Sequence, residues 1–426
     1  MREMTKRALV CILMLTLALT ACTSSEPEEA QPVVVKEEQL EDGQTITLIE
    51  PSNYEVDEMN KYQIQTRLTD FQLIHGYGGL AWGVTRSELR LYYTRDNGET
   101  WTNISPSSNV KFATNPVYGE DIFFLDGMNG WIVRSGTDGT DNVVLRTNDG
   151  GESWMISSLE ETQKVTALHF ASAKEGYLMT SDNAGTGKEE KKIFSTLDGG
   201  MNWSEVMTSS PLQQTDHAIP LRGYVEGMQF TGGEQGVVSV LELGAPKIYV
   251  TKNAGKAWSI NEPFFNRSSA LYESCSSYSL GEIESLSVDH QQMYLPLGCA
   301  EGSGVQYSGL FTTDGGSIWE HVQFNLPSQR DVNKDLYPTF VSESEGWALQ
   351  GSYVYHTIDQ GETWDRLPVS QVLAEKLVDY PEVVKLQFVS PKVGWVLLEN
   401  ASEKKININA DDGWRDQLER PLKLIP

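Results

Sequence analysis

Long helices are what this 426-residue sequence most conspicuously lacks. Apart from a short stretch near Val369 to Asp379, no segment repeats apolar residues at helical spacing, which excludes helical bundles and folds built on long crossover helices. Basic residues are also scarce: 33 Lys and Arg face 59 Asp and Glu, a net charge of −26. A body this acidic repels polyphosphates and anionic headgroups, so nucleic acid is excluded as a partner. Six His without HExxH-like spacing supply no metal motif, and neither a GxSxG elbow nor a phosphate-cradling glycine loop is present. No cofactor is expected. The one sustained apolar run, Ala8 to Leu19, is shorter than the roughly 20 residues a membrane-spanning helix needs.

That run follows a basic start (Arg2, Lys6, Arg7) and leads into LTAC, Leu19 to Cys22. The pattern resembles the lipobox of bacterial lipoproteins, which implies removal of residues 1–21 and acylation of Cys22. The expected product is an extracytoplasmic, membrane-anchored chain held by its acyl groups and not by a basic patch. Cleavage removes a net +2 and leaves −28. Residues 22–61 read as a solvated tether, with 11 acidic residues against a single lysine over 23–60. Within it, Thr45 to Glu50 (TITLIE) alternates like a strand and is expected to dock on the last repeat unit of the body, unless the C-terminal LKLIP does so instead. With Cys11 cleaved away and Cys22 acylated, Cys275 and Cys299 remain, an even pair in an oxidising compartment that favours a disulfide over a metal site.

What is abundant is a repeat. Eleven Trp and 17 Tyr stand among short alternating strands and turns, and one frame returns six times: TRDNGETW, TNDGGESW, TLDGGMNW, TKNAGKAW, TTDGGSIW and TIDQGETW, closing at Trp101, Trp154, Trp203, Trp258, Trp319 and Trp364. A degraded seventh, NADDGW, ends at Trp414 without the two residues between Gly and Trp. Upstream of most boxes lies a second element ending in Gly-aromatic, as in FLDGMNGW (Phe124 to Trp131) and FASAKEGY (Phe170 to Tyr177). Each unit of about 50 residues therefore reads as four antiparallel strands, A to D, with the box as the C-to-D turn. The expected fold is all-β: a seven-bladed β-propeller with four-stranded antiparallel blades over residues 62–426.

The box pattern is similar to the Asp-box, or BNR, repeat. In that repeat Asp bonds to backbone N–H groups of its own turn, Gly supplies positive φ and Thr offers a local hydroxyl. The resemblance implies structural roles for Asp96, Asp149, Asp198, Asn253, Asp314, Asp359 and Asp411, on a face away from the ligand. The longest irregular loops, residues 134–142, 181–192, 209–224 and 262–282, all fall on the opposite face, where binding is expected. Arg134, Arg222, Phe264, Phe265, Tyr272 and Tyr278 are its candidate residues, the aromatics serving either recognition or plugging of the loop that a Cys275–Cys299 bridge would pin.

Among Asp-box families, the Gly-Trp strand followed by the box resembles the photosystem II assembly and stability factors. Their likeness implies a non-enzymatic scaffold that binds a protein partner. Sialidases share the box but carry an Arg-Ile-Pro element; the corresponding stretch here, IQTRLTDF, has no Pro after Arg67. The expectation is a monomeric binding or assembly module for a protein or glycan, with a glycoside hydrolase of the sialidase-like superfamily as the alternative. Asp216-His217 and the pair Glu282 and Glu284 are read as solvated loop charges.

Overall fold

The computed structural model describes residues 68–400 except 75–77, 86, 107–111, 113–114, 137–138, 183–187, 213–216, 262–274, 303 and 331–335, together with the strands Val35–Gln39, Thr45–Ile49, Lys405–Ile406, Leu418–Glu419 and Leu422–Ile425. Cys22, Phe264, Phe265, Tyr272, Asp216 and Asp411 lie outside the described residues.

Each unit runs as an antiparallel meander from an inner strand A to an outer strand D. Blade one is Asp70–Ile74, Gly78–Thr85, Glu88–Thr94 and Thr102–Asn103; blade two is Ile122–Phe124, Gly130–Arg134, Asn142–Thr147 and Trp154–Leu159. Blade three is Lys164–Phe170, Gly176–Ser181, Lys191–Thr196 and Ser204–Ser209; blade four is Tyr224–Phe230, Gly236–Glu242, Ala245–Thr251 and Ser259–Ile260. In blade five strand A comes in two pieces, Ser277–Leu280 and Glu284–Ser285, before Met293–Glu301, Gly304–Thr312 and Glu320–Gln323. Blade six is Thr339–Phe340, Gly346–Gln350, Tyr353–Thr357 and Asp365–Arg366. The helix Gln371–Asp379, capped by Ser370, follows it.

Among the described residues six four-stranded blades are thus present where seven were expected. The last unit is a three-stranded sheet, Glu382–Ser390, Val393–Glu399 and Leu422–Ile425. The position beside its second strand is taken by the C-terminal segment, which pairs Val396 with Ile425 and Glu399 with Leu422. The sequence reason is the truncated seventh box, which lacks the full turn that joins strands C and D in the other units. Nor does Thr45–Ile49 dock on the last unit. It pairs with Trp154–Leu159, the outer strand of blade two, and forms a hairpin with Val35–Gln39, so that sheet has six strands.

The two repeated elements hold neighbouring blades together. In blades two, three, four and six the Phe ending strand A lies over the Gly opening strand B of its own blade: a Cβ on Gly130 would stand 2.4 Å from the Phe124 ring, and one on Gly176 2.3 Å from Phe170. The aromatic after that Gly stacks on the Phe of the next blade. Trp131 and Phe170 stack at 3.6 Å and 8°, Tyr177 and Phe230 at 3.4 Å and 4°, and Trp347 and Phe388 at 4.3 Å and 10°. The Gly is required because a side chain there would displace the ring that the preceding blade grips.

The same contacts join the three-stranded sheet to blade one. Trp395 packs on Phe71 and Trp101, and its indole N–H donates to Asn97 Oδ1 at 2.7 Å. Leu73 N donates to Gln387 Oε1 at 2.8 Å, and Lys385 Nζ donates to Phe71 O at 2.7 Å while pairing with Asp70 at 3.3 Å. Strand A of every unit consequently faces a common axis.

Candidate functional site

The boxes form a local hydrogen-bond unit of constant geometry. In blade two, Thr147 Oγ1 donates to Asp149 Oδ1 at 2.7 Å and accepts from Gly151 N at 2.8 Å, while Ser153 N donates to Asp149 Oδ1 at 2.9 Å. The same arrangement recurs around Asp96, Asp198, Asp314 and Asp359. Asn253 reproduces it with its side-chain oxygen, accepting from Thr251 Oγ1 at 2.9 Å and from Ala257 N at 2.8 Å. Burial pushes the Asp149 carboxyl up, yet the bonds from Ser153 and Thr147 prevail and hold it below the usual carboxylate range. In five boxes the Trp indole N–H returns to the box Gly carbonyl at 2.8–3.1 Å. Trp154 departs from this and donates to Ile104 O of blade one at 3.1 Å.

A cavity of about 180 Å³ lies on the propeller axis. Its lining comes mainly from the ends of the inner strands and the turns after them: Gln72, His169, Gln229, Glu284, Phe340 and Gln387, with Tyr118, Phe123, Glu282, Ser285, His290 and several aliphatic side chains. This corrects the reading of Glu284 as a solvated loop charge, since it belongs to a strand; Glu282 is exposed in the loop before it. Gly281 leads into a segment in which Ile283 packs into the core of blade five, and the two carboxylates flanking it line the cavity.

Much of the polar lining is bonded internally. His290 Nδ1 accepts from Gln229 Nε2 at 3.0 Å and lies 2.7 Å from Ser285 Oγ, whose hydroxyl donates to Ser287 O at 2.9 Å. Gln387 Oε1 is held by Leu73 N, and Tyr118 donates to Phe124 O at 3.0 Å. His169, 2% exposed, donates from Nε2 to Phe230 O at 2.9 Å, so its Nδ1 carries a lone pair. Burial, reinforced by His290 with ring centroids 5.5 Å away, pushes His169 down to about 3 and keeps it neutral.

The carboxylates are displaced the other way. Burial, then the charge of Glu282, pushes Glu284 up to about 8 against Lys385 and a hydrogen bond from the Phe340 backbone. Glu282 is an exposed side chain at the cavity; the surrounding protein raises it to about 7 by desolvation, with Lys385 opposing and Asp70 and Glu120 reinforcing. Burial likewise lifts Asp121 to about 6. Negative charge accumulates along this axis, relieved mainly by Lys385 and Lys164.

Of the sequence-predicted loop residues, the described ones, Arg134, Arg222 and Tyr278, do not line this cavity. Arg134 ends strand B of blade two beside Val143, and Arg222 is exposed in a bridge with Lys188. Tyr278 is buried in strand A of blade five opposite Cys299. Cys275 and Cys299 form a disulfide with Cα atoms 5.4 Å apart. The sequence reading missed His169, Gln229 and Gln387, although a signal was present. Each precedes the repeated Phe, and alternation along a strand turns the two side chains to opposite sides.

Residues 104–263 match the family described as photosynthesis system II assembly factor YCF48, and residues 92–103 match the BNR/Asp-box repeat. The chain is a β-propeller similar, over these residues, to the Asp-box repeat and to the photosystem II assembly factors. Over 76 residues, 18% of this chain, it is 32% identical to the chloroplastic photosystem II stability/assembly factor HCF136 of Arabidopsis thaliana, and spans 19% of that relative's length. Among solved structures, the GH74 enzyme of Niastella koreensis matches with a TM-score of 0.50 at 13% identity, over 76% of this assembly-factor-like chain and 49% of the enzyme. The GH74 xyloglucanase of Xanthomonas campestris matches with a TM-score of 0.48 at 12% identity, over 78% and 50%. The chain spans about half the length of these enzymes, and the likeness to the Niastella koreensis enzyme is one of fold.

Proposed function

We propose that this chain is a lipid-anchored, extracytoplasmic propeller that binds a protein partner or assists its assembly without catalysing a reaction. The observation that carries this reading is the sequence match over residues 92–103 and 104–263 to the Asp-box and assembly-factor families. Two further features support it. The box Asp side chains are engaged by their own turns, and no Arg is among the described residues lining the axial cavity, whereas a sialidase-type site needs a cluster of guanidinium groups to hold a carboxylate. The lipobox at Leu19 to Cys22 supports attachment to a membrane outside the cytoplasm.

The alternative, a glycoside hydrolase, is favoured by one observation. Glu282 and Glu284 share the cavity, and the raised Glu284 carboxyl has the protonation a general acid requires. One experiment separates the two readings. Site-specific photocrosslinkers on the loop face at Arg222, and on the box face at Leu197, are introduced in parallel into the chain in intact membranes, and the purified chain is assayed on a fluorogenic sialoside and on xyloglucan. The binding reading expects one discrete crosslinked species from the Arg222 position and no turnover. Turnover that disappears in Glu284→Gln, with no discrete crosslink, would establish the hydrolase instead.

A further inference from the structure

The axial cavity holds three acceptor groups whose arrangement the assembly role does not explain. Two are the carboxylates of Glu282 and Glu284. The third is His169 Nδ1: Nε2 is committed to Phe230 O, the ring is 98% buried, and Nδ1 has no hydrogen-bond partner among the described residues. His169 lines the cavity, so a ligand that carries an N–H donor can satisfy this lone pair. Of the neighbouring amides, that of Gln229 is directed to His290, and Gln387 holds Leu73 N through its Oε1.

We infer that the axial cavity is a binding site for a small alkylammonium group, whose N–H donors meet Glu282, Glu284 and His169 Nδ1 while its short carbon stem lies against Leu73, Phe123, Phe340 and Val389. An ammonium has three donors and no acceptor, which matches a lining with acceptors to spare. A carboxylate or phosphate ligand meets only like charge here, because Lys385 is already bonded to Phe71 O and paired with Asp70. The volume of about 180 Å³ suits a ligand of a few heavy atoms, not a sugar chain. The stem requirement follows from the mixed lining: a bare ammonium ion would leave the aromatic and aliphatic wall facing water. Such a group is supplied either by a free amine or by a lysine side chain presented by a partner protein. This inference stands whether or not the chain has an assembly role.

The test is calorimetric titration of the full chain with n-butylamine, n-butanol and n-butyrate at about pH 9, where the alkylamine stays protonated and carboxylates are charged. The three probes share a stem and differ in the head group. Butylamine is expected to bind at least about tenfold more tightly than butanol, and butyrate not at all. Glu284→Gln should weaken butylamine about tenfold and leave butanol unchanged. Glu282→Gln, at the water-facing position, should weaken it less and provides the readout if the first variant does not fold. An acetylated, amidated Gly-Lys-Gly peptide separates the sources: binding as tight as butylamine assigns the site to a presented lysine, and butylamine binding alone assigns it to a free amine. Equal affinity for butylamine and butanol, absence of binding by both amines, or unchanged affinity in both variants overturns the inference.

Discussion

Replacing Gly176 by Ala should destabilise the protein, and the effect should reverse in sign when Phe170 is also replaced by Ala. At most strand positions Gly→Ala stabilises by about 0.4–1 kcal/mol, because Ala restricts the unfolded chain. Here an added Cβ meets Phe170 Cε1 at 2.3 Å, Cδ1 at 2.4 Å and Cζ at 2.7 Å. The ring has nowhere to go, since its other face is stacked on Trp131 at 3.6 Å and Trp203 meets it edge-on at 6.0 Å. Overpacking of this kind costs about 1–3 kcal/mol, and the rigid backing places Gly176→Ala near the upper end. Phe170→Ala alone should cost about 3–5 kcal/mol, as for other fully buried Phe side chains. In that background the space beside residue 176 is open, and Gly176→Ala should be neutral or stabilising by up to about 0.5 kcal/mol. The coupling is then about 2–3 kcal/mol. Equilibrium urea unfolding followed by tryptophan fluorescence measures all four corners of the cycle. If Gly176→Ala costs the same with and without the Phe170 ring, the explanation of the repeated Gly-aromatic pair is wrong.

Three other outcomes follow from the same structure. Glu284 is held at about 8 in the folded chain against an ordinary 4.5, so the folded state binds its proton more tightly and the stability this contributes is present at low pH and lost as pH rises from about 4.5 through 8. Glu284→Gln should accordingly be more stable than the parent by roughly 2–4 kcal/mol at about pH 9, allowing for channel water, and equal to it near pH 4.5 in parallel urea titrations. Asp149→Ala should cost about 1–2 kcal/mol, as does loss of a comparable local cap, whereas Asp149→Asn should cost much less because Asn253 makes the same bonds in blade four; thermal unfolding of the two variants separates these. Reducing the Cys275–Cys299 bridge, which spans 24 residues, removes up to about 3.5 kcal/mol of loop-closure stabilisation, and amide exchange should rise first in Ser277–Leu280.

Much of the architecture was legible because it is local. The box places Thr147, Asp149, Gly151 and Ser153 within one turn, so its hydrogen bonds close within a few residues and the same composition produces the same turn in each copy. The strand meander follows from that periodicity. The count of four-stranded blades did not follow, because the degraded seventh box is a local signal, whereas the strand that completes the last sheet, Leu422–Ile425, is recruited by pairing with Val393–Glu399. Docking of Thr45–Ile49 on blade two was equally out of reach: an alternating strand specifies its faces, not which open edge it meets.

By itself, then, the sequence determined the repeating unit, its acidic turns, the aromatic that follows most of the glycines opening strand B and the two cysteines that pair. Only the tertiary structure decided that Trp131 stacks on the Phe of the following blade and not of its own, and that His169, Gln229, Glu282, Glu284 and Gln387, from four different units, meet around one axis. Hydrogen bonds inside a turn depend on residues that are neighbours in the chain, but a cavity on the axis of a ring exists only once the ring has closed, and its chemistry is the sum of side chains that no short stretch of sequence contains.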